Sequence, residues 1–244
     1  MKKIAVINGS PKAKDSVSAS LISQVENILK TELTMYQATK LVRQDDVSAE
    51  LRKILQSDVL LFVFPLYVDS LPAPLVKILA LCEESAKTRE GPLPKVYAVC
   101  NCGFYEADHT RIALEIIGNF STRAGFRQGY GLGIGMGGLL LSVGKNMSKG
   151  PAAGVYAALS QMCKSIQGDI VDDISTEAIV TDKGATDAGS NGRNVFVTPK
   201  FPRFLYSLGG NISWRQMAKK YGASKKLGAR PHVTRPHDAQ LHRN

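Results

Sequence analysis

Short apolar runs in the first 168 residues alternate with stretches in which apolar residues recur at helical spacing. Residues 4–7 and 59–64 are the clearest runs, since each is uninterrupted and too short to form a helix. Such runs are typical of strands buried on both faces of a parallel sheet. The alternation of strands and helices predicts an α/β protein with a doubly wound sheet of five parallel strands. The other three strands are expected at residues 34–38, 96–100 and 128–134.

The strand order 2-1-3-4-5 would bring three loops of this protein together. In open α/β sheets, ligands bind beyond the carboxyl ends of the strands, where the strand order reverses. In this order the reversal lies between the first and third strands. The loops after strands one, three and four should therefore converge. We call them the first, second and third loops, and they are residues 8–18, 65–72 and 101–108.

The first loop has the residues of an anion-binding turn. It leads into a helical pattern, which either Ser16 or Ser18 is expected to cap. Free N–H groups and the positive end of the dipole at such a helix start favour an anion. Ser10, Ser16 and Ser18 add hydroxyl groups, and Lys12 adds a positive charge. The same residues also suit an ordinary solvated loop with a serine cap.

The second and third loops both carry aromatic side chains. Prolines flank Tyr67 in the second loop, and the third loop places Phe104 and Tyr105 beside Gly103, which permits close backbone approach. One loop for a phosphate and two for a flat ring fit flavin mononucleotide (FMN). For any one of these aromatic residues, a place in the core or at its rim is the commoner case.

Two of these stretches carry a family resemblance. GSPK followed by Ser16 and Ser18, together with PLYVDSLPAPL, resembles the NAD(P)H-dependent FMN reductase family of flavodoxin-like flavoproteins. The stretches NCGFYEADHT, GLGIGMGG and PKFPRFLYSLGG look like a bacterial subgroup of that family. The resemblance covers residues 1 to about 168 and implies a flavodoxin-like fold with bound FMN. Because residues 36–46 contain no cysteine, we expect no iron–sulfur cluster of the kind that some relatives carry there.

The resemblance also implies which residues hold the cofactor. The FMN phosphate would be bound by Ser10, Lys12, Ser16, Val17 and Ser18. Val17 stands where many relatives have asparagine. The ring would be contacted by Pro65, Leu66, Tyr67, Val68, Asn101, Cys102, Gly103, Phe104 and Tyr105.

By the same resemblance, the expected activity is transfer of hydride from NADH or NADPH to FMN, and of electrons to a small acceptor. The acceptor could be a quinone, an azo or nitro compound, or free flavin. A flavodoxin-type electron carrier without nicotinamide activity is the main alternative, and a regulatory protein with a vestigial flavin site is a third. No catalytic acid or base is expected, because the cofactor carries the chemistry.

Two other patterns are not expected to bind anything. Residues 133–138 match G-x-G-x-x-G, but they follow the fifth strand rather than the first, so a Gly-rich strand exit is favoured over a dinucleotide fingerprint. His232, His237 and His242 lie in a polar tail without a cysteine or acidic cluster, and we expect no metal site.

The net charge of +10 is concentrated near the end of the chain. Residues 188–237 contain ten Lys and Arg and no Asp or Glu, whereas the rest of the chain is balanced. We therefore expect an FMN-binding domain at residues 1–168 and a basic extension at 169–244 that contains two short amphipathic helices. The extension is expected to dock on the core or on a neighbouring subunit of a homo-oligomer. Binding of the extension to a membrane surface is an alternative that is not favoured. Binding to nucleic acid is not expected, because no binding motif accompanies the charge.

The sequence favours a cytosolic location. The apolar run near the amino terminus is too short for a signal peptide, and no stretch is long enough to span a membrane. The four cysteines lack the spacing of a secreted disulfide scaffold, so we expect reduced thiols.

Overall fold

Six strands pair in parallel to form one sheet, in the order β2-β1-β3-β4-β5-β6. The computed structural model describes residues 2–12, 15–144, 146–168 and 194–228. The strands are β1 (Ile4–Asn8), β2 (Thr34–Gln37), β3 (Val59–Pro65), β4 (Lys95–Asn101), β5 (Arg127–Ile134) and β6 (Asn194–Val197). The predicted order of the first five strands is confirmed.

The prediction of a five-stranded sheet is wrong, because β6 adds a sixth strand beside β5. Residues 131–134 of β5 pair with residues 194–197. Val195 and Val197 contribute to the core on one face of the sheet, and Phe196 contributes to the core on the other. The run of four residues is too short for its periodicity to distinguish a strand from a loop.

Helices cover both faces of the sheet. They are α1 (Val17–Leu29), α2 (Ala38–Leu41), α3 (Val47–Leu55), α4 (Ala73–Lys87), α5 (Arg111–Arg123), α6 (Gly137–Val143) and α7 (Ala153–Gln167). Buried side chains of α1, α6 and α7 share one core cluster with the sheet, and those of α2, α3, α4 and α5 share the other. This arrangement leaves the carboxyl ends of the strands to the loops.

The chain divides into two compact units, Met1–Phe201 and Pro202–Asn244. The sheet and helices α1 to α7 belong to the first unit, and so does β6, although we expected its residues to form part of the extension. The histidines at positions 232, 237 and 242 lie outside the described residues, as do residues 169–193. Among the described residues, no helix is long and apolar enough to cross a membrane.

In the described part of the second unit, residues 202–228, one α-helix of 18 residues, α8 (Arg203–Lys220), is present where we expected two short helices. Its apolar residues form two groups, with Phe204 and Leu208 in the first half and Trp214 and Met217 in the second, and all four side chains are exposed. At about 100° per residue, the two groups face different sides of the helix, so the helix as a whole is not amphipathic. The prediction of amphipathic helices is therefore corrected for this segment.

Candidate functional site

The first, second and third loops converge at the carboxyl edge of the sheet, as predicted. The Gly9 N–H donates to the Val63 carbonyl at 2.9 Å, which joins the first loop to β3. The Leu66 N–H donates to the Asn101 carbonyl at 2.8 Å, which joins the second loop to β4. A Cβ atom added at Gly9 would lie 2.7 Å from the Cβ atom of Phe64, so this close approach requires glycine.

Two polar residues that the sequence analysis did not identify hold the start of the first loop. The Asn8 Oδ1 atom accepts a hydrogen bond from the Ser10 N–H at 2.9 Å, and the Gln37 side-chain amide donates to the Ser10 carbonyl. Asn8 and Ser10 are both 3% exposed. Asn8 and Gln37 are the last residues of β1 and β2, and a polar residue ending an apolar strand is the signal that could have identified Asn8.

The helix start in the first loop is organised around Ser16. Its Oγ atom accepts a hydrogen bond from the Ala19 N–H at 3.1 Å, so Ser16 rather than Ser18 is the N-cap of α1. Val17 and Ser18 follow in the first turn, where backbone N–H groups have no partner within the helix. An anion here could bind the backbone of Val17, a contact that does not depend on the side chain at that position.

Asn101, the last residue of β4 and the first of the third loop, connects the first loop to the end of β3 through its side chain. Its Nδ2 atom donates to the Ser18 Oγ atom at 3.1 Å and to the Phe64 carbonyl at 3.0 Å. Asn101 is 4% exposed and Ser18 is 1% exposed. The expected phosphate end and the expected ring end of the site are therefore joined by one buried amide.

The second loop makes a tight turn with an unusual backbone. Tyr67 and Ser70 exchange two backbone hydrogen bonds, of 2.9 and 3.0 Å. Between them, Val68 and Asp69 have φ angles of 49° and 56°, the left-handed values that a type I′ turn requires. Asparagine and glycine are preferred at these positions, and a β-branched residue such as valine is a strained outlier. In this turn Val68 is 97% exposed, and the adjacent Tyr67 is 45% exposed.

Replacing Val68 by Asn and Asp69 by Gly is therefore expected to stabilise the protein. A left-handed backbone costs most residues with a Cβ atom about 1–2 kcal/mol, and asparagine and glycine adopt it more readily, so the pair should raise the free energy of unfolding by about 1 kcal/mol or more. Urea denaturation of the full chain measures this difference. The variant Val68→Ala with Asp69→Ala is the matched control, because it keeps both Cβ atoms and should gain little. Equal stability of the two variants would contradict the assignment of strain to this turn.

The third loop separates buried from exposed side chains. Cys102 is buried, and burial raises the pKa of its thiol to about 11, so the thiol stays protonated at neutral pH. Phe104 is 53% exposed, and its ring centroid lies 4.5 Å from that of His109. The Tyr105 hydroxyl donates to the Phe201 carbonyl at 2.8 Å, which ties this loop to the end of the first unit. An exposed ring at Phe104 and an inert thiol at Cys102 fit a surface that binds a flat group without attacking it.

The glycine-rich residues after β5 form hydrogen bonds with the backbone of the third loop. The Met136 N–H donates to the Phe104 carbonyl at 2.7 Å, and the Gly137 N–H donates to the Cys102 carbonyl at 2.8 Å. A Cβ atom added at Gly135 would lie 2.3 Å from the Tyr105 carbonyl oxygen. Close packing against the third loop therefore explains why glycine is required at position 135, and no dinucleotide site is needed to account for it.

The 14 residues that the resemblance implies for FMN differ widely in exposure. Those in the buried class are Ser10, Ser16, Ser18, Asn101 and Cys102. Those of intermediate exposure are Val17, Pro65, Leu66 and Tyr105, and those that are exposed are Lys12, Tyr67, Val68, Gly103 and Phe104. Within the described part of the chain, no group of three or more His, Cys, Asp or Glu side chains could hold a metal ion.

Comparisons with solved structures find similar folds at low identity. A putative quinone reductase from Klebsiella pneumoniae is 14% identical, with 68% of this chain and 85% of that chain covered and a TM-score of 0.49. An NAD(P)H:quinone oxidoreductase from Methanothermobacter marburgensis is 13% identical, with coverage of 62% and 98% and a TM-score of 0.46. A flavodoxin from Fusobacterium nucleatum bound to flavin mononucleotide is 12% identical, with coverage of 70% and 100% and a TM-score of 0.47. These values do not support transfer of a function to this chain.

At the sequence level, one family profile matches. No curated protein sequence matches the chain. The profile of a family described by its flavodoxin-like fold matches residues 2–79, which span β1 to the middle of α4 and include the first and second loops. The flavodoxin-like resemblance recognised in the sequence is thereby confirmed.

Proposed function

We propose that this protein is an FMN-dependent oxidoreductase that takes hydride from NADH or NADPH and passes electrons to a small acceptor. The acceptor would be a quinone, an azo or nitro compound, or free flavin. One observation carries the proposal: at the carboxyl edge of a doubly wound sheet, the Asn101 amide joins a serine-rich helix start to the ends of β3 and β4, from which two loops with exposed aromatic side chains begin. Ligands bind to such sheets at this edge.

The first loop fits the phosphate of FMN. The hydroxyl groups of Ser16 and Ser18 and the backbone at the start of α1 lie together in the first turn. A serine hydroxyl that accepts one hydrogen bond can still donate its own hydrogen, so the cap at Ser16 does not prevent a contact with phosphate. Lys12 is exposed and adds a positive charge near this turn. Hydrogen bonds from these donors to a charged phosphate would be stronger than those to a neutral group.

The second and third loops fit a flat ring. Tyr67 and Val68 of the second loop and Phe104 of the third loop expose apolar surface. The hydrogen bond from the Leu66 N–H to the Asn101 carbonyl joins these two loops. Apart from its two chain neighbours, no described residue has an atom within 4 Å of a Cβ atom added at Gly103, so there is room for a group beside its Cα atom. In this proposal, these residues orient the ring and exclude water from one side of it. When bound, FMN would supply the redox chemistry, and no titrating side chain of the chain is assigned a catalytic step.

A cytosolic setting belongs to the same proposal. All four cysteines are free in the structure, as expected for thiols that a reducing compartment maintains. We further propose that the protein is a homo-oligomer, in which the exposed apolar residues of α8 are buried against a neighbouring subunit.

The cofactor should be identified first. We expect the purified protein to be yellow and to release FMN rather than FAD, because the first loop offers one phosphate site and no second nucleotide site is proposed. Mass spectrometry of the heat-released cofactor distinguishes the two flavins, and titration of the apoprotein with FMN gives the affinity. Recovery of FAD, or of no flavin after incubation with excess FMN, would contradict the proposal.

A further inference from the structure

We infer that Asn101 is a positioning residue that orients the Ser18 hydroxyl as a hydrogen-bond donor toward the FMN phosphate. The inference rests on the proposed function, since it concerns the phosphate of that cofactor. The resemblance implies only a ring contact for Asn101. The structure gives its side chain a further role, because the amide lies between the first loop and the end of β3.

Both hydrogen-bond contacts of the Asn101 Nδ2 atom are to protein groups. A side-chain amide nitrogen carries two hydrogens. One contact is to the Phe64 carbonyl at 3.0 Å, and the other is to the Ser18 Oγ atom at 3.1 Å. Because the Oγ atom accepts from Asn101, its own hydrogen must point away from the amide. Ser18 is in the first turn of α1, and in this inference its hydrogen is donated to an anion bound at the helix start.

The amide is held rigidly. Asn101 ends β4, which pairs with β3 on one side and with β5 on the other, and its carbonyl accepts from the Leu66 N–H at 2.8 Å. A donor fixed in this way does not have to be ordered when the ligand binds. Loss of the amide would leave the Ser18 hydroxyl free to rotate and to donate elsewhere, which should weaken the phosphate contact and leave the ring contacts in place.

A comparison of FMN with riboflavin tests this inference, since riboflavin has the same ring and lacks the phosphate. Dissociation constants for both ligands are measured with the wild type, Asn101→Ala, Ser18→Ala and the double variant. Asn101→Ala is expected to weaken FMN binding about tenfold or more, the effect of losing one good hydrogen bond to a charged group. Riboflavin binding should change much less. Adding Ser18→Ala to Asn101→Ala should have little further effect, because the two residues act through one contact.

Two further variants separate positioning from a general structural role. Asn194→Ala removes another buried asparagine, whose Oδ1 atom accepts from the Gly131 N–H at 3.0 Å. Asn194 is the first residue of β6, at the opposite edge of the sheet, so its loss should leave the ratio of FMN to riboflavin affinity unchanged. If Asn101→Ala does not fold, the isosteric Asn101→Asp tests the same point, and it too should lose FMN affinity while it keeps riboflavin.

The outcomes are distinct. If Asn101→Ala or Asn101→Asp weakens FMN and riboflavin equally, or if the effects of Asn101→Ala and Ser18→Ala simply add, the positioning role is wrong while the proposed cofactor stands. If the wild type does not bind FMN at all, the proposed function fails, and this inference fails with it.

Discussion

Replacing Ser16 and Ser18 together by alanine is expected to weaken FMN binding by about a hundredfold to ten-thousandfold. Each lost hydrogen bond to a charged phosphate is worth roughly 1.5–3 kcal/mol, and two such bonds are removed. Each substitution is also expected to lower the stability of the fold, for a reason that differs between the two serines. Ser16 caps α1, and losing a cap costs about 1 kcal/mol of stability. Loss of Ser18 leaves the buried Asn101 amide short of a partner, which costs about 1–3 kcal/mol.

Fluorescence titration of the apoprotein with FMN measures the effect, and urea denaturation shows whether the variant still folds. Ser160→Ala is the matched control, because the Ser160 hydroxyl donates to the Tyr156 carbonyl within α7 and is not part of the first loop. It should leave the dissociation constant of FMN unchanged. An unchanged dissociation constant in the double serine variant would place the phosphate elsewhere.

Deleting residues 202–244 is expected to raise the Michaelis constant for NADH or NADPH severalfold at low salt, with the difference shrinking as salt is added. The deletion removes nine Lys and Arg residues and one Asp, and hence most of the net charge of +10. The anionic phosphates of the nicotinamide cofactor would lose an attractive field. The cut belongs after Phe201, because the Phe201 carbonyl accepts from Tyr105 and the Lys200 N–H donates to the Pro151 carbonyl at 2.9 Å.

Steady-state kinetics over a range of salt concentrations, with mass measured in solution, test this prediction. The truncated protein should bind FMN as the full chain does, since the residues proposed to hold FMN lie before the cut. A change of oligomeric state would assign the exposed residues of α8 to a subunit contact. If turnover, Michaelis constant and oligomeric state all stay the same and only binding to anionic liposomes is lost, the extension serves a membrane surface instead.

The sequence predicts most clearly those parts of the fold that local pattern determines. Residues 4–7 and 59–64 are uninterrupted apolar runs, and they form most of β1 and β3, two interior strands of the sheet. Gly168 follows apolar residues at helical spacing, a pattern that predicts a helix end, and it adopts a left-handed conformation after α7. Where the local signal is brief or contradictory, the prediction fails. β6 has only four residues, and in α8 the two apolar groups suggest two helices although the backbone continues through Gly209 and Gly210.

Contacts between distant residues could not be predicted in the same way. Asn101 and Ser18 are 83 positions apart, and only the folded sheet brings the amide to the hydroxyl. The sequence therefore allows Ser16 or Ser18 as the cap, whereas the structure gives the cap to Ser16 and a bond with Asn101 to Ser18. The type I′ turn at Val68 and Asp69 could not be predicted for another reason. Its two central residues are not the asparagine and glycine that this turn prefers, so the sequence lacks the usual signal.

Reduction of the bound flavin by a nicotinamide tests the central claim most directly. The FMN-loaded protein is mixed with NADH and, separately, with NADPH in the absence of oxygen, and its visible absorbance is followed. We predict that at least one of the two bleaches the flavin rapidly, and that a quinone added afterwards restores the colour. If neither nicotinamide bleaches a flavin that dithionite does reduce, the protein is not an NAD(P)H oxidoreductase, and the electron-carrier alternative takes its place.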